Sequence, residues 1–145
     1  MNFDKKIKIG NKKIFNGRCF IVAEISANHA GKINILKKLI LKLKKIGVDA
    51  VKIQAYEADT ITFNSNKKDF RIKSNNSWAK YKNLYELYKE AQTPFKWYDE
   101  IFKFAKKNRI LTFASVFDAS SLNLLESLGC PAYKIASNEI TDLPL

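Results

Sequence analysis

Four short, nearly unbroken apolar runs, at 19–23, 49–55, 110–115 and 132–136, recur along the chain with helical patterns between them. Such a run fits a strand covered on both faces, as in a parallel sheet, because a strand with one wet face alternates instead. After the first run, residues 32–46 place Ile35, Leu36, Leu39, Ile40 and Leu43 on one helical face. Five lysines decorate the rest, and Gly47 stands where a helix would stop. After the second, a polar connection over 56–80 leads to a helix at 81–91, and Pro94 opens another that runs to Lys107. Residues 118–128 form a helix ended by Gly129, ahead of the fourth run.

Strand and helix alternating in this order means right-handed βαβ units and a parallel sheet. Four such units make an α/β fold, the N-terminal half of a (β/α)8 TIM barrel over residues 18–145. A complete barrel takes about 250 residues, against 145 here. Residues 1–17 are expected to precede it as a short β-hairpin turning at Gly10-Asn11. A small open α/β sheet is the alternative. No helical pattern follows the fourth run, which would leave an uncovered edge, so the expectation is a truncated barrel.

Charge narrows the function. The net charge is +12, from 26 Lys+Arg against 14 Asp+Glu, while 46% hydrophobic content argues against disorder. No run approaches the roughly 18 apolar residues of a membrane helix, and residues 1–17 lack a signal peptide's apolar core. Cys19 and Cys130 form no CxxC pair; packing roles in a reducing cytoplasm are expected. The charge argues against nucleic acid as a partner: the basic residues are 23 Lys and only 3 Arg, scattered in runs no longer than two. Small acidic substrates remain open.

Ligands of parallel α/β folds bind at the C-terminal ends of the strands. Polar residues gather there: Glu24, Ser26, Asn28 and His29 after the first run, and Lys52 and Gln54 on the second. Ser115 ends the third, and Lys134, Ser137, Asn138 and Glu139 lie on or after the fourth. Alternation puts Glu24 with Ser26, Lys52 with Gln54, and Thr112 with Ala114 on common faces. A buried lysine needs a partner or an anionic ligand. Two of them near hydroxyls read as a site for phosphate or carboxylate. Glu24 could instead balance Lys52 or Lys134 as an ion pair. His29 is the one histidine, too few for a metal site. It is open as a base, a ligand or a packed side chain. Most aromatics fall at helical spacing and read as packing; Trp78 is the candidate for a sugar pocket.

With these residues in place, the chain resembles the sialic-acid synthase family, N-acetylneuraminate synthase-like enzymes that condense phosphoenolpyruvate with an acetamido sugar. The resemblance rests on Ala23-Glu24-Ile25-Ser26-Ala27-Asn28-His29-Ala30-Gly31 and Ala50-Val51-Lys52-Ile53-Gln54. Leu84-Tyr85-Glu86-Leu87-Tyr88, Phe113-Ala114-Ser115-Val116-Phe117 and Ala132-Tyr133-Lys134-Ile135-Ala136-Ser137-Asn138-Glu139 continue it. Trp78, the Leu-Tyr-Glu-Leu-Tyr segment and Thr93-Pro94 look most like the pseudaminic acid synthase branch.

The resemblance implies a barrel followed by an antifreeze-like domain, a homodimer, and a divalent metal, Mn or Mg. It implies that Lys52, Ser115, Lys134 and Ser137 hold phosphoenolpyruvate. Glu24 and Glu139 would be catalytic, and Asn28, His29, Gln54 and Trp78 would face the sugar. C3 of phosphoenolpyruvate would attack the open-chain sugar aldehyde, polarised by the metal. Water would add at C2, and phosphate would leave by C–O cleavage. This chain departs from the pattern at Val116, where the family usually has proline. The family's two metal-binding histidines lie on later strands, so no metal ligands are expected here and the chain alone is expected to be inactive. The alternatives are an N-acetylneuraminate synthase using N-acetylmannosamine, a basic nucleic-acid-binding module, and an inert truncated product.

Overall fold

The computed structural model describes residues 7–14, 18–75 and 77–145. β1 (Lys8–Ile9) and β2 (Lys12–Lys13) pair antiparallel around Gly10-Asn11, as the turn signal predicts. The expected 1–17 hairpin thus has a described core at 7–14, and residues 1–6 and 15–17 lie outside the described residues. Gly10 has φ of 56°, and a Cβ there would come within 2.9 Å of Leu111 Cδ1. Glycine is what lets the hairpin tip sit against the start of the third long strand.

β3 (Val22–Glu24), β4 (Ala50–Ala55), β5 (Leu111–Val116) and β6 (Tyr133–Ile135) form one parallel sheet in that order. Between them run α1 (Ile33–Ile46), α2 (Ala58–Ile61), α3 (Leu84–Ala91), α4 (Tyr98–Lys107) and α5 (Ala119–Ser127). This is the βα succession expected for the first half of a barrel. Leu36 and Ile40 of α1, Ile101 of α4 and Leu125 of α5 are buried with Val51, Ile53 and Ala114 of the sheet. At roughly 2–5 kcal/mol for each large aliphatic truncated to alanine, this layer supplies most of the fold's cohesion. The lysines at 38, 42, 44 and 45 of α1 are exposed, as a solvated face should be, while Lys37 pairs with Glu100 of α4.

Three boundaries differ from the sequence reading. The connection at 56–80 is not featureless: it holds α2 and a 3-10 turn at Lys68–Phe70. α3 starts at Leu84 instead of 81, because the Asn83 side chain accepts the Glu86 N–H at 3.0 Å and caps it. The run at 19–23 becomes a strand only at Val22–Glu24, and it is not covered on both faces. Val22 is 37% exposed because β3 is a sheet edge with β4 as its one neighbour. β6 is the other edge and leaves Ile135 exposed.

The N-terminal end of the sheet is tied down by a buried carboxylate. Asp49 accepts two bonds from the Arg18 guanidinium, at 2.7 and 2.5 Å, and one from the Ile21 N–H at 2.9 Å. Lys12 of β2 donates to the Asp49 carbonyl at 2.5 Å, so the hairpin and β4 meet at this residue. The guanidinium bonds and the Ile21 amide hold the Asp49 carboxyl well below the usual carboxylate range. A depressed carboxyl pKa stabilises the fold at pH values above the unfolded pKa near 4 and ceases to as pH falls through the folded value. Asp49→Asn should therefore lower the urea midpoint at pH 7, and its deficit against the parent chain should shrink in titrations taken below about pH 4. A deficit independent of pH would contradict the charge-based account.

Candidate functional site

Parallel register sets residues side by side on one face. Glu24 aligns with Lys52 and Lys52 with Phe113, while Gln54 aligns with Ser115 and Ser115 with Lys134. Glu24, Lys52, Gln54, Ser115 and Lys134 therefore share the face turned away from the helices. Val51, Ile53 and Ala114 share the opposite, helix-packed face. Thr112, two residues from Ala114, belongs to that second face, so the Thr112/Ala114 pair lies across the sheet from the polar residues.

Lys52 is the hub. Its Nζ pairs with Glu24 and donates to Ser115 Oγ at 3.0 Å, and its side chain is only 15% exposed. The open choice for Glu24 resolves to Lys52. Burial, and then the neighbouring Lys134 charge, push the Lys52 pKa down. Ser115 is 1% exposed, whereas Lys134 is exposed because it stands on the edge strand. The expectation of two buried lysines thus becomes one buried and one open.

The loop after β3 folds back over this face. Ser26 has φ of 53°, and this left-handed turn lets its N–H donate to Glu24 Oε1 at 2.9 Å. Its hydroxyl donates to Gln54 Oε1 at 3.2 Å. Glu24, Ser26, Lys52, Gln54 and Ser115 are thereby joined in one network. The proximity of Glu24 and Ser26 comes from this turn and not from strand alternation, which ends at Glu24.

The remaining predicted residues sit elsewhere. Asn28 donates to the Ile25 carbonyl at 2.8 Å, closing its own turn. His29 is 1% exposed: Nδ1 accepts the Gly31 N–H at 3.1 Å and Nε2 lies 3.2 Å from Thr93 Oγ1. Burial lowers its pKa, and Trp97 meets its ring edge to face. Both ring nitrogens thus have neighbours within the loop and the core. Trp78 is 51% exposed on the connection that leaves the C-terminal end of β4. Ser137 is exposed just past β6, and Glu139 opens a 3-10 turn, Glu139–Thr141. Glu139 Oε2 is buried with no hydrogen-bond partner. Among the described residues, no three His, Cys, Asp or Glu side chains gather as a metal-ligand group. With His29 committed to Gly31 and Thr93, the residues here do not fit the implied Mn or Mg.

Sequence reasoning missed Tyr98. Its buried hydroxyl donates to the Gln54 carbonyl at 2.6 Å, holding the end of β4 from the helix side. Its sequence pattern, an aromatic at helical spacing, reads as packing. The polar tip of a fully buried tyrosine was the available signal.

Chemically, this face offers an ammonium group paired to one carboxylate, a hydroxyl bonded to it on β5, and a second ammonium group on β6, one strand beyond the hydroxyl. An incoming oxyanion could bond the cations and hydroxyl together. Residues 39–145 match the NeuB family. The chain belongs to that family. It is 46% identical over 138 residues to the pseudaminic acid synthase of Campylobacter jejuni, covering 94% of this chain and 39% of that protein. The pseudaminic acid synthase of Helicobacter pylori is 47% identical over 125 residues, covering 86% and 36%. The crystal structure of N-acetylneuraminic acid synthetase from Leptospira borgpetersenii, in complex with citrate, superposes with a TM-score of 0.74 at 31% identity. That superposition covers 96% of this chain and 44% of the other. This NeuB-family chain thus spans about two fifths of the length of the curated synthases it matches. No helix among the described residues is long and apolar enough to cross a membrane.

Proposed function

We propose that this chain carries the phosphoenolpyruvate-binding part of a nonulosonic acid synthase, which condenses phosphoenolpyruvate with an acetamido sugar and releases phosphate. The observation that carries the reading is the Lys52–Ser115 hydrogen bond, with Lys134 aligned beside Ser115 on the next strand. Lys52 and Lys134 receive the phosphate and carboxylate charges, and Ser115 and Ser137 add hydroxyl donors. When C3 of phosphoenolpyruvate bonds to the sugar carbonyl carbon, positive charge at C2 is met by water, and C–O cleavage frees phosphate. The lysines stabilise the charge that accumulates on the departing group.

Glu24 positions Lys52, and Glu139, whose Oε2 is buried without a partner, is assigned to the reacting end. Gln54, Asn28 and Trp78 serve the sugar side, and His29 supports the loop from within the core. The pseudaminic branch is favoured because identity to its synthases is 46–47%. It falls to 33% for a diacetyllegionaminic acid synthase of Campylobacter jejuni and 30% for the N-acetylneuraminate-9-phosphate synthase of Mus musculus. Cytoplasmic location, a homodimer and a divalent metal held by residues beyond this set complete the reading.

The 145-residue chain is proposed to bind phosphoenolpyruvate without turning it over. Calorimetric titration with phosphoenolpyruvate, and a phosphate-release assay with N-acetylated hexoses and Mn2+, test the two halves separately. Binding without release is the expected result. Failure to bind overturns the site, and release of phosphate overturns the claim of inactivity.

A further inference from the structure

The end of the sheet opposite Lys52 holds a second constellation of cations. A cleft of about 680 Å³ opens where the hairpin tip, the C-terminal ends of α4 and α5 and the start of β5 meet. That is the size range of small-ligand sites. β5 has β4 on one side and β6 on the other, so both flanks of the cleft belong to this chain. Phe102, Leu128 and Pro131 give it an apolar lining.

Its charges are not all engaged. Lys103 pairs with Asp99, and Lys12 is committed to Asp49. Lys106 and Arg109, which also line the cleft, have no carboxylate partner among the described residues. Two independent features single this place out. Thr112 lines the cleft at 4% exposure, and its Oγ1 is one of two buried side-chain polar atoms among the described residues without a hydrogen-bond partner. The other is Glu139 Oε2, in the 3-10 turn after β6. Buried polar atoms are ordinarily satisfied, so this orphan, closed to solvent, marks an unusual point in the wall of the cleft.

The second feature is backbone conformation. α1 and α5 are each followed by a glycine in the left-handed region, Gly47 and Gly129, where glycine is the favoured residue. After α4 the same conformation, φ of 54°, is taken by Arg109. An arginine carries a Cβ penalty there that glycine does not. Both the α4 and α5 ends face the cleft, and the α4 end carries a cation where the α5 end has Gly129.

We propose that this cleft binds a small organic anion, a phosphate or carboxylate group carried on an apolar body. The anionic group would bond Lys106 and Arg109, and the body would lie against Phe102 and Leu128. The site is distinct from the phosphoenolpyruvate face and does not depend on that reading.

Amide NMR spectra of the chain titrated with phenyl phosphate, and separately with benzoate, test it. Saturable shifts clustered at 103–112 and 127–131 are expected with at least one probe, and which probe binds identifies the anionic group. Arg109→Gly should weaken binding by about tenfold while leaving the melting temperature equal or higher, since glycine suits φ of 54°. Lys106→Ala should weaken it to a similar degree, and Lys52→Ala should not. Shifts confined to 24–54 and 115–139, no saturable shift with either probe, or unchanged affinity in both Lys106 and Arg109 variants would each overturn the proposal.

Discussion

Replacing Lys52 by alanine is expected to weaken phosphoenolpyruvate binding by about 100-fold or more, because charge-assisted bonds to an oxyanion are among the strongest available. Fold loss should not confuse the result. The Glu24 partner is a third exposed, so water can take over its solvation, and a melting curve on the variant separates any loss of packing around the Lys52 stem from the loss of binding. Titration adds an independent readout. Burial and the Lys134 charge place the Lys52 pKa below the ordinary lysine value of 10.5. Affinity should therefore decline with rising pH earlier than an unperturbed lysine would allow, as the cation is lost. Lys134→Ala should move that decline to higher pH while weakening binding less than Lys52→Ala. Calorimetry of both variants across alkaline pH checks the assignment, and a decline unaffected by Lys134 would contradict it.

The second large effect concerns Tyr98, which never touches ligand. Its ring is fully buried and meets Phe95 edge to face, with centroids 5.9 Å apart. Tyr98→Ala should cost about 3–5 kcal/mol in denaturant unfolding, a large part of the 5–15 kcal/mol that folded domains possess. Tyr98→Phe keeps the ring and removes the hydroxyl, with its bond to the Gln54 carbonyl and its interaction with Thr93. Its cost should be about 1–2 kcal/mol, with a further loss in phosphoenolpyruvate affinity because the end of β4 is less firmly held. If Tyr98→Phe binds as tightly as the parent chain, the hydroxyl stabilises without positioning.

These two residues also mark what could be read from the sequence. Strand and helix order, the hairpin turn and the gathering of Glu24, Lys52 and Ser115 follow from local pattern, because the period of apolar residues reports which side is covered. The pairing of Glu24 with Lys52 needs register, which depends on which strands become neighbours. Exposure at Val22 and Lys134 likewise depends on being at an edge, and no local pattern encodes that. His29 was ambiguous because a packed imidazole and a ligand-facing one look alike until Thr93 and Trp97 are placed around it. The Asp49–Arg18 anchor spans 31 positions, and the basic cleft joins α4, α5 and the hairpin. Both are products of tertiary closure.

β4 alternates Val51, Lys52, Ile53 and Gln54, and its two sides have opposite demands. One needs water and anions, and the other needs the helices. A slip of this strand by a single position would bring Ile53 into the ligand face and drive Lys52 among Leu36, Ile40 and Ile101. The hydrophobic layer therefore proofreads the chemistry: any pairing that spoils the charged face spoils the core as well. One-residue insertions between Gly47 and Asp49 should be far less tolerated than insertions of the same size in the 62–80 connection, although neither stretch supplies the hub of the polar network.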